Sequence, residues 1–400
     1  MSGLRPPPEM SSATPRPPLA RPGCAVGPHA TADAVGQAVA GVADPALVVI
    51  FPDSALGAER AFSQAVGASR GVPVVGMTTN GSIAEGGAIA GGCSALAFDG
   101  QMAVGIGAVQ NASSDLWAAG HDAAGRALGA LGAGSGSTLL VLFLDSATED
   151  QSLVAAGAAD VAGPEIPIVG GAAGAEDEAQ FGAGEWGRDR VVAVALRSGG
   201  PIGIGIADGA AVLPGEPAVV TRAEGNALLE LDDRPAAEVL LEHLGHGGQA
   251  MDDQRFAEIA TVNPLVVVDQ GNSRRLRHMF GRVPGGGVAT ASKLAQGTRL
   301  GFTRLASDAV VESTYAAAGD ALDGLGGQRA RAALIFDCSG RLDALGGHGP
   351  ALQAEAGTLV AALGVGPALA GAYTRGEIGR VGPTTTQGDL QHSLVVAAFG

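Results

Sequence analysis

Apolar residues come in short runs along this chain, and the runs recur in one order. Residues 46–51 form an unbroken apolar stretch stopped by Pro52-Asp53-Ser54, which predicts a buried strand. Leu56, Phe62, Ala65 and Val66 then repeat at helical spacing as far as Gly71, and 72–75 predicts a second strand. That strand delivers the glycine loop Gly76-Met77-Thr78-Thr79-Asn80-Gly81-Ser82-Ile83. The same order returns with a strand at 138–144, the break Asp145-Ser146, a helix over 149–162, a strand at 166–169 and a looser loop from Gly170-Gly171. It returns once more with a strand at 332–336, the break Asp337-Cys338-Ser339-Gly340-Arg341, and a helix carrying Leu352, Ala356, Leu359, Val360 and Leu363 on one face. A short strand at 368–370 then feeds Gly371-Ala372-Tyr373-Thr374-Arg375-Gly376-Glu377-Ile378. Strand–helix–strand needs a crossover, so the strands of each unit are expected to be parallel.

Between the units the period changes. Residues 96–98, the turn Asp99-Gly100 and 102–109 predict a hairpin, and 191–196 with 202–206 predict its counterpart. After Gly209 the units give way to short strands at 217–222 and 227–231. Asp232-Asp233-Arg234-Pro235 starts a helix whose apolar face is Ala236, Val239, Leu240 and Leu244. Short antiparallel strands follow at 265–268, 276–280, 287–291 and 298–302, then a helix through 316–322, and a closing strand at 393–399. The fold class is α/β in the mixed α+β sense: two related lobes of repeated strand-helix-strand-Gly-loop units with antiparallel hairpins, divided between 209 and 217.

Composition narrows this further. Of the 400 residues 46% are hydrophobic but only 4% aromatic, so the cores must be built from Ala, Val and Leu. The 65 glycines and 22 prolines are spread between apolar runs, as in a folded chain with tight turns. Prolines do cluster in residues 1–23, which with Arg5, Arg16 and Arg21 predict a disordered Pro-rich tail. A net charge of −16 argues against nucleic acid or an anionic membrane as partner. The longest charge-free apolar run, 139–144, falls far short of the ~20 residues of a membrane helix. With no apolar leader and three scattered cysteines, a cytoplasmic protein is expected. No cofactor or metal is expected, the histidines being dispersed apart from His243 and His246.

Candidate chemistry gathers at the loops and the third strand end. Loops such as Thr78-Thr79-Asn80 and Gly170-Gly171 can cradle an anion with backbone N–H groups, or can simply let strands pack closely. None fits a P-loop or a dinucleotide fingerprint. The third loop adds Tyr373, Thr374, Arg375 and Glu377, polar groups that are costly to bury idle. Arg341 suits a clamp for a carboxylate or phosphate, or an internal ion pair with Glu377 or Asp337. Cys338 could be a nucleophile whose pKa Arg341 lowers, or a small buried apolar residue; no histidine or acid is placed by sequence to act as its base.

Several of these motifs resemble the FIST family, sensory domains of bacterial signalling proteins with relatives in eukaryotic F-box proteins. The first strand, the 76–83 loop and Ile168-Val169-Gly170-Gly171 are similar to the FIST N-terminal pattern. Leu231-Asp232-Asp233-Arg234-Pro235-Ala236, Phe336-Asp337-Cys338-Ser339-Gly340-Arg341 and the 371–378 loop resemble the FIST C-terminal pattern. Ser82 and Met77 depart from the usual first loop. The resemblance implies a FIST N-terminal domain over 24–212 and a FIST C-terminal domain over 213–400. It also implies a sensor of small molecules such as amino acids rather than an enzyme, passing its signal to a separate signalling protein. A zwitterion held by Arg341, Tyr373, Thr374, Arg375, Glu377, Thr78, Thr79, Asn80, Gly170, Gly171 and Cys338 is the expected site. The alternatives are an acyl- or phosphoryl-transfer enzyme using Cys338 or Thr78 and Thr79, and a ligand-free interaction scaffold.

Overall fold

The computed structural model describes residues 19–146, 150–174, 177–268, 275–364, 366–381 and 390–400. The first unit runs β1 (Ala20–Val26), α1 (Ala30–Ala40), β2 (Pro45–Pro52), α2 (Ala58–Ala68), β3 (Val74–Met77), the arm β4 (Ser82–Ala84) and β5 (Gly87–Ile89), then β6 (Gly92–Asp99). The second repeats it with β7 (Ala103–Gln110), α3 (Leu116–Leu131), β8 (Ser137–Leu144), α4 (Gln151–Ala162), β9 (Ile168–Ala172), the arm β10 (Gln180–Gly182) and β11 (Glu185–Gly187), and β12 (Arg190–Ser198).

The third unit opens with β13 (Ile202–Ala207) and is interrupted by an inserted domain. That domain comprises β14 (Ala210–Val212), β15 (Ala218–Glu224), β16 (Ala227–Leu231), β17 (Arg234–Pro235), α5 (Ala236–His243), α6 (Asp253–Thr261), β18 (Leu265–Val267), β19 (Arg275–Arg277), β20 (Met279–Val283), β21 (Gly287–Thr290) and β22 (Arg299–Leu305). The unit then resumes with α7 (Ser307–Asp323), β23 (Ala332–Cys338), α8 (Ser339–Ala344), α9 (Pro350–Leu363), β24 (Ala368–Thr374), the arm β25 (Glu377–Arg380) and β26 (Leu394–Phe399). Among the described residues no helix is long and apolar enough to cross a membrane.

Each unit builds one sheet, and the three sheets share one strand pattern. Their orders are β1-β6-β2-β3-β10-β11, β7-β12-β8-β9-β25 and β13-β26-β23-β24-β4-β5. In each, the two strands joined by a crossover are parallel and their other neighbours antiparallel. Alternate residues of the central strands point to a common interior: Leu47, Val49 and Phe51 meet Leu139, Val141 and Phe143 and also Leu334 and Phe336. The outer faces lie under helices, α1 and α2 on the first sheet, α3 and α4 on the second, α7 and α9 on the third.

The expected mixed α+β architecture and its repeated units are present, and two details differ. Asp99-Gly100 turns the chain, but β6 and β7 do not pair, and neither do β12 and β13. Both edges of β6 are already occupied by β1 and β2, so β7 joins the free edge of β12 in the next sheet. The arms cross over too: β4 pairs with β24, β10 with β3 and β25 with β9. In addition, β1 takes in Ala20 to Gly23, which had been assigned to the Pro-rich tail; residues 1–18 lie outside the described residues. The inserted domain carries its own core, with Phe256, Leu240, Met279 and Leu300 at its centre.

Phe51, Phe143 and Phe336 occupy equivalent strand positions: Phe51 meets Phe143 and Phe336 edge to face, with centroids 6.1 and 5.8 Å apart, and Phe143 and Phe336 are tilted at 6.3 Å. The residue before each phenylalanine faces a glycine across the parallel ladder: Ile50 with Gly76, Leu142 with Gly170, Ile335 with Gly371. A Cβ there would lie 1.9 Å from the Ile50 carbonyl oxygen, 2.0 Å from that of Leu142, or 2.6 Å from Ile335 Cβ. These glycines serve close strand packing. Because all three sheets lean on the phenylalanine cluster, Phe336→Ala should destabilise the protein by about 3–5 kcal/mol. Urea unfolding would measure this, with Tyr315→Ala on the exposed face of α7 as a control that changes stability little.

Candidate functional site

The carboxyl ends of the parallel strands gather three equivalent corners, with the sequences Phe51-Pro52-Asp53-Ser54, Phe143-Leu144-Asp145-Ser146 and Phe336-Asp337-Cys338-Ser339. At the first corner the Asp53 carboxylate accepts from Ala55 N at 3.0 Å and from Gly91 N at 2.7 Å. At the second, Asp145 accepts from Asp189 N at 2.6 Å. Gly91, Asp189 and His392 hold the matching place in each unit, with φ of 62°, 52° and 56°. At the third corner the acceptor is the Cys338 sulfur, reached by the backbone N–H groups of Gly340 and His392. A thiol thus stands where the other two corners have a carboxylate.

Beside it lies a buried charge cluster. Arg341 is fully buried, its Nε donating to Asp337 Oδ1 at 2.7 Å and its Nη2 to Glu355 Oε1 at 2.9 Å. The remaining donors go to Ser313 Oγ at 2.7 Å, Thr314 Oγ1 at 2.9 Å, and the carbonyls of Asp208 and Val310, each at 3.2 Å. Arg341 is therefore an internal ion-pair residue, and with no exposed surface it is not placed as a ligand clamp would be. Glu355 on α9, not Glu377, is its second carboxylate partner. Burial first, and then the charge of Glu355, pushes the Asp337 carboxyl well up against the pull of Arg341. Tyr373 is also buried, pointing into this cluster's apolar surround rather than toward a ligand.

A cavity of about 570 Å³ opens over the third corner. Its floor is Cys338, Ser339, Gly340, Leu342, Asp343 and the Thr374-Arg375-Gly376 turn. Asn80 comes from the first loop, Ser146 and Gln151 from the second unit, and Asn226, Thr261, His278, Phe280, Ala291 and Ser292 from the inserted domain. The loops interlock here. Asn80 N donates to the Tyr373 carbonyl at 3.0 Å, Gly174 N to that of Thr78 at 2.9 Å, and Arg375 N to that of Ala172 at 3.1 Å.

Of the expected site residues, Asn80, Cys338, Thr374 and Arg375 line this cavity. Thr78 Oγ1 instead accepts from Ala179 N at 2.9 Å, and Thr79 Oγ1 donates to the Pro52 carbonyl at 3.2 Å. Gly170 and Gly171 make room for the Leu142 backbone and the Thr374 side chain. Glu377 sits behind the wall, accepting from Thr374 Oγ1 at 2.7 Å and from Ser393 N at 3.3 Å. Burial raises its pKa to about 8 despite these donors. Burial and the charge of Glu377 hold the Cys338 thiol well above its ordinary range, so it is protonated and a poor nucleophile. His243 spends its Nδ1 on the Val239 carbonyl and stacks on Phe302. Among the described residues no three metal-ligating side chains come together.

Two charged groups remain at the mouth. Arg375 is exposed, and its guanidinium has no hydrogen-bond or ion-pair partner among the described residues. Asp343 lies within its electrostatic reach; burial raises the Asp343 pKa and Arg375 lowers it. His278 Nδ1 meets Nε2 of the fully buried His392 at 2.8 Å. Burial, then Arg375, lowers the His278 pKa to about 4, so the ring is neutral. His278 N also donates to Gln391 Oε1 at 2.6 Å, and Gln391 Nε2 to Ser292 Oγ at 2.6 Å. Sequence reasoning missed this histidine pair and Asp343. The recurring serine at Ser54, Ser146 and Ser339 was the available sign that strand ends share a corner.

A FIST N domain family model matches residues 46–234, and a FIST C domain model matches residues 236–380. No curated protein matches the chain.

The raised pKa of Glu377 makes a stability prediction. In the fold the carboxyl keeps its proton up to about pH 8, whereas its ordinary value is 4.5. The stability it contributes is whole below the ordinary value and is lost as pH rises through about 8. Glu377→Gln should therefore gain on the parent protein across that window, by up to about 1.4 kcal/mol per pH unit. Urea unfolding of both proteins at a series of pH values reads the difference, and a flat difference would mean that Glu377 ionises normally.

Proposed function

The chain belongs to the FIST family, through an N domain followed by a C domain, and from that premise we propose a sensor whose cavity takes a small zwitterionic ligand such as an amino acid. FIST domains are associated with sensory and signal-transduction roles. One observation carries the ligand class: an exposed guanidinium and a carboxyl, Arg375 and Asp343, share the mouth of one cavity. Arg375 offers a fork to a carboxylate, Asp343 an acceptor to an ammonium, and Asn80, Asn226, Gln151 and Ser292 offer further polar contacts. The volume of about 570 Å³ lies within the usual range for small-ligand pockets, ~300–1,000 Å³. Phe280 supplies an apolar wall for a side chain.

An acyl- or phosphoryl-transfer reading lacks an activated group, because Cys338 is a thiol and the hydroxyls of Thr78 and Thr79 are committed elsewhere. The output passes to a separate signalling protein in this proposal, since both the body and the inserted domain line the cavity and a ligand touching both can alter their relation.

A thermal-shift screen of free amino acids is the test, because a ligand that binds only the native state raises its midpoint. At least one amino acid should stabilise the parent protein. Arg375→Ala should abolish that shift while changing the unliganded midpoint little, since among the described residues this side chain makes no hydrogen bond or ion pair. An amino acid that stabilises Arg375→Ala as well as the parent would place the site elsewhere.

A further inference from the structure

We propose that Phe280 of the inserted domain selects the ligand by its side chain, so that the cavity takes an uncharged amino acid with an apolar side chain, aromatic before aliphatic. The proposal rests on the amino-acid reading of the cavity and names the class within it.

The argument begins with the strand that carries the ring. In β20 Met279 pairs with Thr290 whereas Gly281 pairs with Ala289, so Phe280 is an extra residue with no partner of its own on β21. An extra residue of this kind interrupts the ladder, bends its strand and re-aims a side chain. The residues around it are anchored. Met279 is fully buried in the core of the inserted domain. Arg282 lies over the Phe256 ring, 4.5 Å from its centroid, and donates to the Met251 carbonyl at 3.0 Å. On the other side, His278 N donates to Gln391 Oε1 at 2.6 Å. The irregularity is held between fixed points, and what it turns outward is an aromatic ring.

That ring is 55% exposed and lines the cavity. A single apolar residue on an open surface is ordinary. Phe280 differs in its company, since it borders the same cavity as Arg375 and Asp343. Its ring meets that of His278 edge to face, with centroids 4.7 Å apart and planes at 74°, which restrains it before any ligand arrives. The charge of Arg375 is felt at that same His278, so the guanidinium and the phenyl ring border one small volume.

The two sides of the cavity offer different chemistry. The body supplies the charges of Arg375 and Asp343, which match the carboxylate and ammonium common to all amino acids. The inserted domain supplies Asn226, Thr261, Phe280, Ala291 and Ser292, none of them charged, and His278, whose ring is neutral. With both charges engaged by the common ends, no third one is left among the described lining residues to pair with an acidic or basic side chain. Enclosing such a side chain unpaired is costly. The phenyl face instead gains by losing water to an apolar group, and gains most from another ring, which can stack on it or meet it edge to face.

Titration calorimetry of the full chain tests this, with glycine, L-leucine, L-phenylalanine, L-glutamate and L-lysine as probes. The parent protein should bind L-phenylalanine at least about tenfold more tightly than glycine, with L-leucine between them. L-glutamate and L-lysine should bind no better than glycine. Phe280→Ala should weaken L-phenylalanine about tenfold and glycine less than about twofold, and Phe280→Leu should keep L-leucine while losing the aromatic preference. The exposed ring makes both variants mild for the fold, which their unliganded midpoints check. A parent that prefers L-glutamate or L-lysine, or a Phe280→Ala protein that keeps the parent's ranking, would overturn the proposal. So would an equal loss for glycine and L-phenylalanine, which would put the ring against the common ends of the ligand. In each of these outcomes an amino-acid site still stands and this inference falls alone. If no probe binds the parent, this inference falls, and the wider amino-acid screen decides the reading beneath it.

Discussion

The site depends on one buried guanidinium. Removing a charge from water costs several kcal/mol, and the cost is offset only when its donors are matched. Arg341 meets that condition by drawing on four separate elements: Asp337 from β23, Ser313, Thr314 and Val310 from α7, Glu355 from α9, and the Asp208 carbonyl at the entrance to the inserted domain. A misplaced partner would leave a buried charge uncompensated, so these elements are fixed relative to one another. The cavity floor, Cys338 to Gly340, lies between Asp337 and Arg341 and inherits that rigidity. Burial here also keeps protons in place, joined by the charge of Glu355 at Asp337 and that of Glu377 at Cys338, so that Asp337, Glu377 and Cys338 are all pushed up.

The rest of the body is arranged so that three corners meet. Each arm leaves its own sheet and caps another, β4 on β24, β10 on β3 and β25 on β9. The exchange covers sheet edges that would otherwise present unpaired backbone groups. It also brings the strand ends together, since every arm begins where a parallel strand stops. Two of the corners are closed by aspartates gripping backbone N–H groups. The third substitutes a cysteine, carries the inserted domain above it, and places a histidine where the others have Gly91 and Asp189. Function is to be sought where the repeat departs from itself.

Much of this was legible in the residues. Phe51, Phe143 and Phe336 each lie near the end of a strand, because an apolar run stops there at a polar turn, and the glycine loops follow at matching places. What escaped was helix built from small residues. In α1 and α3 the buried faces are largely alanine, so the apolar period is weak. Glycines on the facing strand complete that packing: a Cβ at Gly105 or Gly107 would come within 2.1 Å of an α3 carbonyl oxygen. Arg341 carried both an ion-pair reading and a ligand reading, and sequence could not choose because Glu355 and Thr314 are distant in the chain. His278 and His392 were invisible for the same reason, 114 residues apart and joined only by the fold.

The inserted domain touches the body in two physically different ways. On one side Val266, Leu276 and Leu305 share an apolar cluster with Leu342 and Leu345 of the third unit. Such a contact is non-directional and tolerates small rotations. On the other side the contacts are directional, His278 to His392 and Gln391 to Ser292, and they border the cavity. A ligand can shift a conformational balance only by its difference in affinity for the two states. A molecule touching Arg375 alone would bind without consequence, because its contacts would move with the body. One that also met groups of the inserted domain, such as Asn226, would gain or lose those contacts with any turn of that domain about its apolar side. In the sensor proposed above, polar groups from both parts around one cavity are what would couple binding to a change between them.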